Sequence, residues 1–131
     1  MTLVACILGS TIVLVDSTVV NVALPAIKRD LGCEQVAFTY LRMPQHTGGK
    51  GSYGHRHKTQ EEVYFVCSGR LQFKLDDEVI EAGAGTAVRV APSTVRSVWN
   101  DEPEDAQLVI VSTRIDSARD DAEYVENFWP A

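Results

Sequence analysis

From residue 34 onward, apolar and polar positions alternate with a period of two, in short runs broken by glycine, proline and paired acidic residues. Successive side chains of a strand point to opposite faces, so these runs predict half-buried β-strands. Strands are expected at 34–43, where Val36, Phe38 and Tyr40 share a face, at 52–57, and at 61–67, closed by Ser68-Gly69. Further strands are expected at 70–75, with Leu71, Phe73 and Leu75 inward, at 78–82 beyond the Asp76-Asp77 turn, at 86–91, at 94–100 beyond Pro92-Ser93, and at 106–114. Segments 45–51 and 101–105 read as loops, the first rich in glycine and the second acidic. Ser117 reads as the N-cap of a short helix over 117–127. Many short strands without intervening helices predict an all-β sandwich or barrel and disfavour a parallel α/β sheet. Tyr40, Tyr64, Phe73 and Trp99 are expected to line or pack this barrel.

The preceding residues follow another pattern. Residues 1–27 carry a single charge, Asp16. The apolar run from Leu3 to Ile27 exceeds the roughly 20 residues a helix needs to span a bilayer. Asp16 and Asn21 interrupt it, and a carboxylate at the centre of a span costs on the order of 2.5–3.5 kcal/mol. No Lys or Arg precedes the run and no small-residue cleavage site closes it, so a secretory signal is not expected. The composition changes near Lys28–Gly32, which divides the chain into a hydrophobic N-terminal segment, 1–32, and a folded domain, 33–131.

Within the first segment, Val15-Asp16-Ser17-Thr18-Val19-Val20-Asn21-Val22-Ala23-Leu24-Pro25 resembles the first transmembrane helix of drug–proton antiporters of the major facilitator superfamily. The resemblance covers about residues 9–32. A lone helix cannot form a transport path between repeats. The segment is therefore expected to be a transporter-like remnant fused to an unrelated domain. As such it would dock on that domain, self-associate, or attach weakly to a membrane through residues 3–27.

Composition narrows the function classes. The 131 residues are 45% hydrophobic and 23% charged, the make-up of one ordinary globular domain. A net charge of −6 argues against a nucleic-acid partner, which requires a basic face. Cys6, Cys33 and Cys67 form no metal-binding spacing and leave one thiol unpaired in any disulfide scheme. That pattern suits a reducing compartment and a cytoplasmic location, with membrane association through the N-terminal segment as the alternative. The acidic stretches 101–105 and 120–126 read as solvated faces. Residues 42–60 lack Asp and Glu but hold Arg42, Lys50, Arg56 and Lys58, which read as a solvated edge or as a rim that attracts anions.

The candidate chemistry lies at 49–62. Residues two apart on a strand share a face, so His55 and His57 project together. A short turn at Lys58–Gln60 is expected to return the chain as a hairpin and to set Glu62 beside them. Two imidazoles and a carboxylate with open positions suit a divalent first-row metal: Fe, Mn, Ni, Cu or Zn. Tyr64 shares the face of Glu62 by alternation, so its hydroxyl is within reach of the same pocket, either touching a substrate or packed with its hydroxyl satisfied. His46 reads as a solvated loop residue and Cys67 as a small buried hydrophobe.

Gly49, five residues, His55-x-His57, four residues, Glu62, six residues and Gly69 fill every fixed position of the first motif of the cupin superfamily, and the domain resembles that family. The second motif opens at Gly85 and closes at Asn100 in register, but Ala91, Ser93 and Arg96 stand where the family has Pro, Gly and His. The resemblance implies a jelly-roll β-barrel, a small-molecule ligand and a homodimer. It also implies that Arg96 replaces a fourth metal ligand. Arginine stays protonated and cannot ligate. At an effective dielectric of about 20, its charge about 5 Å from a divalent ion is repelled by roughly 7 kcal/mol. Three readings follow: a three-ligand metal site at His55, His57 and Glu62; a metal-free pocket in which Arg96 pairs with Glu62 or clamps an anion; and an inert, packed pocket. Oxygenase, isomerase and lyase chemistry all fit the first, and a binding module without turnover fits either of the first two.

Overall fold

A computed structural model describes residues 35–131. The alternation in sequence becomes ten strands among the described residues. In chain order these are β1 (Val36–Met43), β2 (Thr47–Gly48), β3 (Ser52–His57), β4 (Glu62–Ser68), β5 (Arg70–Leu75), β6 (Glu78–Gly83), β7 (Ala87–Val90), β8 (Arg96–Asn100), β9 (Ala106–Thr113) and β10 (Ala122–Trp129). One helical turn, α1 (Ala118–Asp121), precedes β10. The strands form two antiparallel sheets, β1-β9-β4-β7 and β10-β3-β8-β5-β6, with the short β2 also paired to β8. This is the expected all-β jelly roll. The segment read as transporter-like, and the division at residue 32, lie outside the described residues. Among the described residues, no helix is long and apolar enough to cross a membrane.

The inward positions of the alternating strands meet between the sheets. Tyr64 and Val66 of β4, Leu71 and Phe73 of β5, Val88 and Val90 of β7 and Leu108 of β9 are buried there with Met43, Ala82 and Ala106. Tyr64 and Phe73 touch edge to face with centroids 5.6 Å apart, a favoured aromatic geometry. Trp99 does not join them. It follows Val98 on β8, so alternation turns it outward, where it stacks on His46 and donates its Nε1–H to Asp101.

Two glycines of the first motif have steric reasons. Gly69 turns β4 into β5 with φ +78°, and a Cβ there would lie 2.9 Å from the Ala106 Cα. Gly49 lies so close to β8 that a Cβ would meet the Ser97 Oγ at 1.9 Å.

The helix expected over 117–127 is corrected to a single turn. Ser117 caps it as expected, accepting from the Asp120 N–H, but the chain becomes extended at Ala122. Residues 122–125 pair along His57, Arg56, His55 and Gly54 of β3, and Trp129 pairs with Ser52 beyond a bulge. The tertiary ladder along β3 outweighs a helix signal that rests on a cap and a few acidic residues.

Candidate metal centre

His55 and His57 project from β3 as alternation requires. His55 lies directly opposite Arg96 of β8 in the ladder. Glu62 arrives by a route the sequence did not suggest. The expected β3–β4 hairpin is absent: β3 pairs with β10 and β8, whereas β4 pairs with β7 and β9. Residues 58–61 cross between the sheets, so Glu62 faces the histidines across the interior. A hairpin needs β3 and β4 to be partners, and both edges of each strand are already taken.

Once there, the two oxygens of Glu62 have different surroundings. Its Oε2 accepts from Tyr64 Oη at 2.6 Å, from Arg96 Nη2 at 2.8 Å and from Arg96 Nε at 3.1 Å. Its Oε1 lies 3.8 Å from His57 Nε2. Arg96 is fully buried, and its Nη1 donates to the carbonyls of Pro92 and Thr94 at 3.1 and 3.0 Å. The guanidinium expected near the pocket is therefore in it, with most of its donors spent on Glu62 and on the turn before β8. The Tyr64 hydroxyl is likewise spent on Glu62.

These contacts set the charge states. Burial would raise the Glu62 carboxyl, but the hydrogen bonds from Tyr64 and Arg96 and the nearby positive charge outweigh it and hold the group below its ordinary value. Burial, then the Glu62 charge and hydrogen bond, push the Tyr64 phenol up, so it stays a donor. Burial lowers the His55 imidazole to about 4, assisted by Arg96 and His57 and opposed by Glu62. His55 is thus neutral near pH 7, as a ligand must be.

A residue that sequence reading missed completes the arrangement. Asp121, assigned above to a solvated acidic face, is buried at the end of α1. Its Oδ2 lies 3.0 Å from His57 Nδ1 and accepts from Gln60 N at 3.2 Å. Its Oδ1 accepts from Thr59 N at 3.0 Å and Thr59 Oγ1 at 2.7 Å. Burial would raise this carboxyl, and the bonds from Thr59, Gln60 and His57 lower it instead. One signal in the sequence could have pointed to it: Ser117 capping a single turn sets the second position of the 120–126 run, Asp121, at the end of that turn and apart from the rest of the run.

His55, His57 and Glu62 offer ligand atoms that all lie within 4.8 Å of one another. Two donors each about 2.1 Å from one ion lie roughly 3–4 Å apart, so the 3.8 Å between His57 and Glu62 already fits a shared ion. The other residues singled out in the sequence lie outside this group. His46 is exposed on its loop. Arg42 pairs with Asp105 and Arg56 with Glu123, while Lys58 donates to the Asp120 carbonyl. Most of the basic run is thus engaged along a solvated edge. Asn100 of the second motif donates to the carbonyls of Met43 and Glu104 and accepts from Glu102 N, so it folds the 101–105 loop.

Residues 42–112 match the family model described as a cupin domain. The chain belongs to the cupin family. An uncharacterized protein of Methanocaldococcus jannaschii is 35% identical to this cupin over 46 residues, 35% of this chain and 37% of that protein. The match thus spans well under half the length of that curated relative. Among solved structures, a cupin protein of Bacteroides fragilis is 24% identical with a TM-score of 0.57, over 70% of this chain and 75% of the other. A protein with a double-stranded β-helix domain from Klebsiella pneumoniae is 16% identical with a TM-score of 0.58, over 70% and 74%. A predicted oxalate decarboxylase of Thermotoga maritima is 18% identical with a TM-score of 0.57, over 67% and 74%. At these identities the likenesses concern the fold alone.

Proposed function

We propose that this cupin holds a divalent first-row metal at His55, His57 and Glu62 and uses the open coordination positions to bind or convert a small anionic molecule. The observation that carries this reading is the division of labour on Glu62. Three donors occupy Oε2, while Oε1 faces His57 Nε2. Arg96 therefore replaces the missing fourth ligand without taking the third: it grips the far side of the carboxylate and leaves the near oxygen free. Three protein ligands suit a reactive metal site with exchangeable positions. Fe, Mn, Ni, Cu or Zn bound there supplies Lewis acidity or, for the redox-active ions, dioxygen chemistry. The positive charges of ion and Arg96 exceed the negative charges of Glu62 and Asp121, which favours an anionic partner. Arg96 and Tyr64 act on that molecule chiefly by fixing Glu62.

Metal content of the purified protein tests this, with a His55→Ala/His57→Ala double variant as control. Near-stoichiometric metal in the parent and none in the variant is the expected result. The buried Arg96–Glu62 pair supports a second reading, a metal-free pocket for an anion. It takes over if no metal is retained after reconstitution with Fe, Mn, Ni, Cu and Zn. The homodimer that the family resemblance implies is tested by light scattering, and membrane attachment through residues 3–27 by carbonate extraction.

A further inference from the structure

We propose that Asp121 is a positioning residue that fixes the tautomer of His57, placing the ring hydrogen on Nδ1 and leaving the Nε2 lone pair directed at Glu62 Oε1. The inference rests on the metal reading above only for its effect on affinity; the tautomer stands on its own. A carboxylate only accepts hydrogen bonds. Whichever imidazole nitrogen lies 3.0 Å from Asp121 Oδ2 must therefore carry hydrogen, and that nitrogen is Nδ1. The opposite tautomer would set two lone pairs against each other in a buried site.

The carboxylate cannot turn away to relieve such a conflict, because three other contacts hold it. Thr59 N, Thr59 Oγ1 and Gln60 N donate to its oxygens. The backbone carbonyl of Asp121 accepts from Lys58 N at 3.0 Å. The short helix thus grips the segment that leads from His57 to Glu62, and the same side chain that grips it orients the ring. A histidine that binds metal through one nitrogen is commonly held by a carboxylate on the other, and losing that partner costs about 10–100-fold in metal affinity.

Asp121→Asn separates orientation from mere stapling of the turn. A carboxamide offers one oxygen and one donor. With the oxygen kept on the Thr59 side, the amide nitrogen occupies the Oδ2 position and donates to His57 Nδ1. The ring proton then moves to Nε2, the wrong tautomer, as exchange of carboxylate for carboxamide behind a histidine does elsewhere. Nitrogen-15 NMR of the metal-free protein, recorded where the ring is neutral, reads the tautomer directly. The expected result is Nδ1–H in the parent and Nε2–H in Asp121→Asn, with cobalt(II) affinity reduced about 10–100-fold. Asp120→Asn, one residue away with no carboxylate contact to the ring, is expected to match the parent in both readouts.

A purely stapling role would lower stability and leave the tautomer alone, so Nδ1–H and parental cobalt affinity in Asp121→Asn overturn the proposal. Nε2–H in the parent overturns it without any variant, which keeps the test decisive if Asp121→Asn does not fold. A parent that takes up no cobalt but shows the tautomer switch supports the role of Asp121 and removes the metal reading instead.

Discussion

At the scale of residues, the centre is held by two buried charges that satisfy each other. Arg96 and Glu62 would each be costly alone, and breaking a buried pair by removing one partner typically costs about 3–5 kcal/mol. Arg96→Met is expected to destabilise by that amount in urea unfolding, whereas a loss under about 1 kcal/mol would mean that Glu62 finds other partners. Arg96→His is expected to raise metal affinity at least about tenfold, since it removes a charge that repels the ion and adds an imidazole; isothermal titration reads it. Acid sensitivity follows from three groups with one sign. His55, at about 4 in the fold, refuses a proton that the unfolded chain accepts near pH 6.5, so its contribution falls as pH drops between those values and is level below. Glu62 and Asp121 are lowered carboxyls, whose contributions are present above the ordinary carboxylate range and lost as pH falls through their lowered values. Thermal melts should therefore be level above about pH 7 and decline from there to about pH 4, and His55→Gln should flatten the upper part of that decline by on the order of 1–2 kcal/mol after solvent screening. The ligand candidates were legible because their spacing is local. Asp121 was not, because it meets His57 across 64 positions and sits in a run of acids that local pattern cannot divide.

At the scale of elements, alternation located the strands well: β3 and β5 occupy the residues expected of them. What alternation does not carry is partnership. A turn of a few residues looks the same whether it closes a hairpin or crosses between sheets, so the route to Glu62 was misread although its destination was right. The C-terminal segment was misread because a genuine N-cap was extended past its single turn. Tyr124 and Val125 there are the strand-favouring residues that pairing with β3 exploits. Steric constraints at turns are sharper. Gly69→Ala places a methyl against Ala106 at a positive φ and is expected to cost about 1–3 kcal/mol. An unchanged denaturation midpoint would show that the β4–β5 turn can move off β9.

At the scale of the whole molecule, the strand pattern sufficed for an all-β sandwich or barrel, since so many short strands have few ways to bury one face each, and the cupin resemblance narrowed that to a jelly roll. The two-sheet arrangement also makes the centre a bolt between layers: the histidines belong to one sheet and Glu62 to the other. An ion that binds only the folded form stabilises it by about 2.7 kcal/mol at 100 times its dissociation constant, on the order of 10 °C in a domain of this size. That gain should appear in calorimetry of the parent with added metal and vanish in His57→Ala. The pairing of β10 with the histidine strand carries a consequence for biosynthesis. While the ribosome is still making residues 118–129, β3 has an open edge and His57 lacks its carboxylate, although both histidines and Glu62 were translated long before. Until translation has passed Trp129 the strand that carries both histidines is therefore incomplete, and a prematurely terminated chain lacks both the β10 edge of β3 and the Asp121 contact to His57.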